Sequence, residues 1–250
     1  MLRLRIGPWM RFGVCVTKPP LLLFTRRDWR GLEHIPATGG VILAANHISH
    51  ADPLTLCDYV LHGVCRIPRF LAKDSLFKGG GLVARTMRGA GQIPVHRKTA
   101  NASLALSDAV AALDRGECIV IYPEGTVSRD PDKWPMLGKT GVARLALLSG
   151  APVVPVGQWG AQALLDSYRE PLLRLHLVPP KRVSIVAGAP VDLSAYRGRE
   201  LSGEVLRAAT ADVMTAITTI VSELRGQPAP AQPYDPRQSV PVDVQERRSA

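Results

Sequence analysis

Two imidazoles and a carboxylate crowd into one polar window, Asn46-His47-Ile48-Ser49-His50-Ala51-Asp52-Pro53, directly after the apolar run Val41-Ile42-Leu43. A carboxylate that accepts the proton of one ring nitrogen fixes the tautomer and makes the other nitrogen more basic, which is what a general base needs. If a strand ends near Ala45 and a helix begins at Pro53, His47 and Asp52 stand at opposite ends of a tight loop that can bring their side chains together. Position alone also allows a satisfied structural histidine. Asp52-Pro53 is in addition a good helix start by itself, the aspartate capping free amides and the proline fitting the first helical position. A metal site is the competing chemistry, with His47, His50 and Asp52 as ligands and His96 or His176 joining from elsewhere. Against it, the window lacks the spacing H-x-H-x-D-H and the chain has no second histidine-rich cluster. His50 reads as a loop or supporting residue, and no metal is expected.

A second window, Ile121-Tyr122-Pro123-Glu124-Gly125-Thr126-Val127-Ser128-Arg129-Asp130, leaves another strand-like run. Glycine at 125 permits positive φ or close backbone approach, Thr126 offers a hydroxyl and an amide, and Glu124 can accept from a substrate hydroxyl or hold an arginine.

These windows need elements to place them. Short β-rich runs are predicted at 41–45, 67–72, 91–95, 118–122, 153–157 and 182–187, and helices at 53–61, 101–114, 141–148 and 202–224. In the last of these, Val205, Leu206, Ala209, Val213, Ile217, Ile220, Val221 and Leu224 repeat at three and four. Strands apolar on both faces and separated by helices predict an α/β fold, with a mostly parallel or mixed sheet flanked by helices. A histidine at the carboxyl end of such a strand, beside a helix start, occupies the usual ligand crevice.

Three regions follow. Residues 1–31 carry seven basic side chains against one acid, Asp28, interleaved with Trp9, Phe12, Leu21–Phe24 and Trp29. No apolar run there approaches the ~20 residues of a spanning helix, and Lys18-Pro19-Pro20 is expected to break the segment in its middle. No small-residue cleavage site follows an apolar core, which argues against a signal peptide. This reads as a basic amphipathic segment lying on anionic lipid, or alternatively as a first helix packed on the domain with a solvated basic face. Residues 32–225 read as the main α/β domain, and the proline-rich stretch 226–250 is expected to be disordered.

Asn46-His47 through Asp52, Gly91 with Arg97, Pro123-Glu124-Gly125-Thr126 and Val153–Val156 fall in the order and approximate spacing of four blocks of the glycerolipid acyltransferases. Over roughly 32–225 the sequence resembles the lysophosphatidic acid acyltransferases, or 1-acylglycerol-3-phosphate O-acyltransferases. The resemblance implies a glycerol-3-phosphate acyltransferase-type fold, with His47 as general base and Asp52 orienting it. Arg97, Glu124, Gly125 and Thr126 would bind the acceptor, with Asn46 and Lys73 as further binding residues. An acyl group would pass directly from acyl-coenzyme A or acyl carrier protein to a lysophospholipid, with no cofactor and no enzyme nucleophile, leaving Cys57, Cys65 and Cys118 as core residues. Two departures bear on the acceptor: His96 stands where an acid often precedes the arginine, and Val127 where an arginine often follows Glu-Gly-Thr.

The formal charge of +10 favours polyanionic partners, and only 5% of residues are aromatic, with no basic-aromatic interleaving of the kind that stacks nucleic acid. An anionic membrane face and a phosphate-bearing donor fit better, so the expected location is the cytoplasmic face of a membrane, peripheral or monotopic. The four scattered cysteines suggest a reducing compartment. A metal-dependent hydrolase and a non-catalytic lipid-binding protein are the rival functions.

Overall fold

The computed structural model describes residues 6–95, 102–165 and 177–237, without the side chains of 102–104. Among these, seven strands form one sheet: β1 (Thr25–Arg30), β2 (Val41–Ala45), β3 (Pro68–Lys73), β4 (Ile93–Val95), β5 (Cys118–Ile121), β6 (Val153–Trp159) and β7 (Lys181–Ala187). Their order is β1-β7-β6-β2-β5-β3-β4. Every neighbouring pair is parallel except β6 with β7. The helices are α1 (Pro8–Phe24), α2 (Asp52–Gly63), α3 (Leu82–Gly89), α4 (Ala102–Asp114), α5 (Gly141–Ser149) and α6 (Gly203–Arg225).

Alternation along β2 explains the layers. Ile42 and Ala44 join Ala109, Val142, Leu145, Leu206, Val213 and Ile217 in a core beneath α4, α5 and α6. Val41, Leu43 and Ala45 join Leu56, Tyr59, Val60 and Phe70 in a second core beneath α2. Both faces of the strand are covered, so its sequence is a continuous apolar run rather than an alternating one. Ser202 caps α6 by accepting from the Val205 amide, and Gly226 closes it at φ 62°. Among the described residues α6 is the helix long and apolar enough to cross a bilayer, and half of that stretch is buried in the protein.

Three expectations change. Residues 25–30, read as part of the basic N-terminal segment, are an edge strand of the sheet, held by Arg27 to Asp58 at 2.7 Å and by Asp28 to Arg182 and Ser184 at 2.9 Å each. Helix α1 runs unbroken through Pro19 and Pro20. The carbonyls deprived of a donor by these prolines belong to Cys15 and Val16, both exposed, where surrounding polar groups can replace the lost bonds. The start of the proline-rich stretch is ordered against the domain, the Leu137 amide donating to the Tyr234 carbonyl at 3.0 Å while Ala229 packs on the α4–α6 core. Residues 238–250 lie outside the described residues.

Candidate active site

Parallel strands β2 and β5 deliver their C-terminal ends to the same edge of the sheet, and the 46–51 and 122–128 loops leave there side by side. The His47 backbone is gripped by the second of these on both sides. Its amide donates to Glu124 Oε1 at 2.8 Å and its carbonyl accepts from the Ser128 amide at 2.6 Å. Glu124 Oε2 takes the Met136 amide at 3.0 Å, so one carboxyl group ties together three loop segments.

The side chains then fall into place. His47 Nδ1 lies 2.9 Å from Asp52 Oδ2. That oxygen also accepts from the amides of Ile48 at 2.6 Å and Ser49 at 2.7 Å. An ionised carboxylate only accepts, which puts the neutral imidazole proton on Nδ1 and leaves Nε2 as the basic nitrogen. Asp52 is fully buried while the His47 side chain keeps 14% exposure. Asp52 makes no capping bond to its own helix, whose N-cap is Ala51; its carboxylate turns back to the histidine loop.

Tyr122 stacks on the imidazole, with ring centroids 4.2 Å apart and planes 18° off parallel, and Phe70 stacks on Tyr122 at 6.3 Å. The Tyr122 hydroxyl, Asp52 Oδ1 and Gln158 Oε1 are buried and make no hydrogen bond among the described residues. Burial first, then the Asp52 charge, holds the Tyr122 phenol well above its ordinary range, so it stays protonated. Burial pushes the Glu124 carboxyl up to about 8, with Asp52 and Asp130 adding to it and its two backbone donors opposing. His50 is exposed, and desolvation followed by the His47 charge lowers its pKa.

Two of the expected binding residues have partners within the protein. Asn46 is fully buried and engages Gln158: its Nδ2 donates to the Gln158 carbonyl at 3.0 Å, its Oδ1 accepts from the Gln158 amide at 2.7 Å, and its carbonyl accepts from Gln158 Nε2 at 2.8 Å. It extends the β2–β6 ladder and presents nothing to a substrate. Glu124 is 2% exposed with both oxygens taken by backbone amides, so it holds the histidine loop rather than a substrate hydroxyl. Gly125 has φ 72°, and a Cβ there would lie 2.7 Å from Lys139 Nζ. Thr126 is partly exposed in the same loop. Lys73 ends β3 at this edge, exposed, one strand beyond β5. Arg97 and His96, like His176, lie outside the described residues. Val127 is 3% exposed and points into the interior, while Arg129 is exposed. Cys65, expected in the core, is exposed; burial raises the thiols of Cys57 and Cys118 to about 12.

Among the described residues no three His, Cys, Asp or Glu side chains converge as a metal-binding group. A cavity of about 1060 Å³ lies behind Glu124, between the 135–140 loop, α6 and the ordered part of the tail, with Met136 and Met214 among its walls. Tyr122 and Gln158 were missed from the sequence. The signal available for Gln158 was a lone amide in the apolar run Val153-Val154-Pro155-Val156-Gly157; Tyr122 resembled any aromatic residue at a strand end.

Comparison with known proteins adds a lineage to this geometry. Residues 26–159 match the acyltransferase family model. A 1-acyl-sn-glycerol-3-phosphate acyltransferase of Borreliella burgdorferi is 31% identical over 134 residues, covering 50% of this chain and 48% of that protein. The enzyme of the same description from Bacillus subtilis is 26% identical over 161 residues, or 63% of this chain and 75% of the relative. The chain thus spans about half the length of the first relative and three quarters of the second. Among solved structures, the 1-acyl-sn-glycerophosphate (LPA) acyltransferase from Thermotoga maritima superposes with a TM-score of 0.62 at 26% identity, covering 89% of this chain and 80% of that one.

Proposed function

The chain belongs to the acyltransferase family, and from that premise we propose that it moves a fatty acyl group from an acyl thioester to the sn-2 hydroxyl of a 1-acylglycerol 3-phosphate, giving phosphatidic acid. The observation that carries the reading is the His47–Asp52 pair at 2.9 Å, on a loop gripped through its backbone by Glu124 and Ser128. His47 Nε2 takes the proton of the glycerol hydroxyl as its oxygen attacks the thioester carbonyl. Asp52 stabilises the imidazolium that forms. The tetrahedral intermediate then breaks its carbon–sulfur bond, the departing thiolate takes the proton back from the imidazolium, and ester and free thiol leave. Apart from the proton that His47 Nε2 takes and returns, every bond made or broken belongs to a substrate, so the scheme calls for no cofactor and no acyl-enzyme intermediate.

Acyl-coenzyme A is the proposed donor, with acyl carrier protein as the other thioester of the same class, and the net charge of +10 favours either polyanion. Acceptor phosphate binding is assigned to Arg97 from its place in the second sequence block, with Lys73, Gly125 and Thr126, which lie at the His47 edge, as further binding residues. Because acceptor and acyl chain both reside in lipid, we place the protein on an anionic membrane at its cytoplasmic face, as a peripheral or monotopic enzyme.

One observation favours widening the acceptor: Val127 faces the interior where a phosphate-gripping arginine would be expected. The same chemistry on glycerol 3-phosphate, another lysophospholipid or a glycosylated phosphoinositide is therefore the second reading. Mass spectrometry of products from mixed acceptors with acyl-coenzyme A decides among them. His47→Ala in parallel is expected to slow transfer by roughly 10²–10⁴-fold, and transfer at a near-normal rate would remove His47 as the base.

A further inference from the structure

Strand direction decides which exposed residues share the His47 edge. Strands β2, β5 and β3 are parallel, so 46–51, 122–128 and 74–83 all emerge there. Strand β1 is parallel to β7, β7 is antiparallel to β6, and β6 is parallel to β2. The start of β1, and with it the end of α1, therefore belongs to the same edge.

The segment after β3 forms a tip, Ser75-Leu76-Phe77-Lys78-Gly79-Gly80-Gly81-Leu82-Val83, and it presents apolar side chains outward. Leu82 is 57% and Val83 63% exposed, with Leu76 exposed beside them. The tip is braced from within: Arg88 donates to the carbonyls of Phe77 and Gly79, and Lys78 pairs with Asp74 at 2.8 Å. Helix α3 is in turn locked to α1, since a Cβ on Gly89 would lie 2.1 Å from Trp9 Cδ1. Exposed Leu22 and Leu23 at the end of α1 repeat the pattern across the same edge. Large aliphatic groups held outward on a braced backbone are costly in water and favourable in lipid. From 73 to 88 the chain carries Lys73, Lys78, Arg85 and Arg88 against the single acid Asp74, a charge balance that suits anionic headgroups.

We propose that the 75–83 tip is a membrane-insertion point distinct from α1, with an anionic bilayer as its partner, and that together they lower the His47 edge onto lipid. This rests on the lipid-acceptor reading given above.

The test is co-sedimentation of the full-length protein with phosphatidylcholine vesicles, with and without phosphatidylglycerol. Leu82→Ser combined with Val83→Ser alters only exposed side chains, so the variant is expected to fold, as its melting temperature will report. The lipid concentration for half-maximal binding should rise about tenfold or more in the double variant. Anionic lipid should strengthen binding of the wild type. Unchanged binding by the variant, or equal binding to neutral and anionic vesicles, overturns the proposal. So does a wild-type dimer in analytical ultracentrifugation that the variant dissociates while vesicle binding is retained, because the tip would then be a protein contact. The vesicle assay contains neither donor nor acceptor, so its failure is separable from failure of acyl transfer measured on a dispersed short-chain acceptor.

Discussion

Replacing Asp52 by asparagine removes one charge and changes little else in shape. Asp52 Oδ2 receives three donors, the amides of Ile48 and Ser49 and the Nδ1 proton of His47, at 2.6, 2.7 and 2.9 Å. An asparagine carbonyl oriented toward the two amides keeps the loop and can still accept from Nδ1. What it loses is the attraction between carboxylate and imidazolium that develops as His47 takes the hydroxyl proton. At 2.9 Å and an effective dielectric of about 20 that attraction is roughly 6 kcal/mol, an upper bound near 10⁴ in rate. The amide dipole recovers part of it, so kcat should fall about 10²–10⁴-fold with KM within a factor of ~3. The assay is release of free thiol from the donor, with circular dichroism and a thermal melt as fold controls. His47→Ala and the double variant complete a cycle: if Asp52 acts through the imidazole, it has nothing left to stabilise once His47 is gone, and the double variant should be no slower than His47→Ala. A folded Asp52→Asn enzyme with near-normal kcat, or a double variant slower by the product of the single losses, would refute the reasoning.

Two further outcomes follow from Glu124. Glu124→Ala leaves the buried amides of His47 and Met136 without their acceptors and should cost about 2–5 kcal/mol in urea unfolding, with a fall in kcat because the base is no longer held. Its carboxyl, raised from 4.5 to about 8 by burial, keeps its proton in the folded protein where the unfolded chain has lost it. That stabilisation is complete below the unfolded value and is lost as pH rises through about 8, with a slope of up to about 1.4 kcal/mol per unit in between. Glu124→Gln should flatten the slope, and an unchanged difference between wild type and variant from pH 5 to 8 would show that the carboxyl does not titrate there.

The paired windows around His47 and Glu124 were legible because they are short, local and built of residue types whose chemistry limits their use. The α/β sheet was legible because both faces of β2, β5 and β6 are covered, giving apolar runs between helical periods. Helix α3 was not, since it is only eight residues long, Ala84 is its one buried residue, and its apolar Leu82 and Val83 face outward. Strand β1 was hidden by its charges: Arg27 and Asp28 read as surface residues until Asp58, Arg182 and Ser184 arrive from more than thirty residues away.

The amino-acid order alone placed a histidine and an aspartate five residues apart between an apolar run and a helix start, within reach of one another if the chain turns there. Only the tertiary structure decided what Asn46 and Glu124 do. Their side chains could have met a substrate or the protein's own backbone, and the choice fell to Gln158, 112 residues away from Asn46, and to the amides of His47 and Met136, 77 and 12 residues from Glu124. A polar group's role is set by its partner, and a partner supplied by sheet pairing and loop packing has no mark in the local sequence.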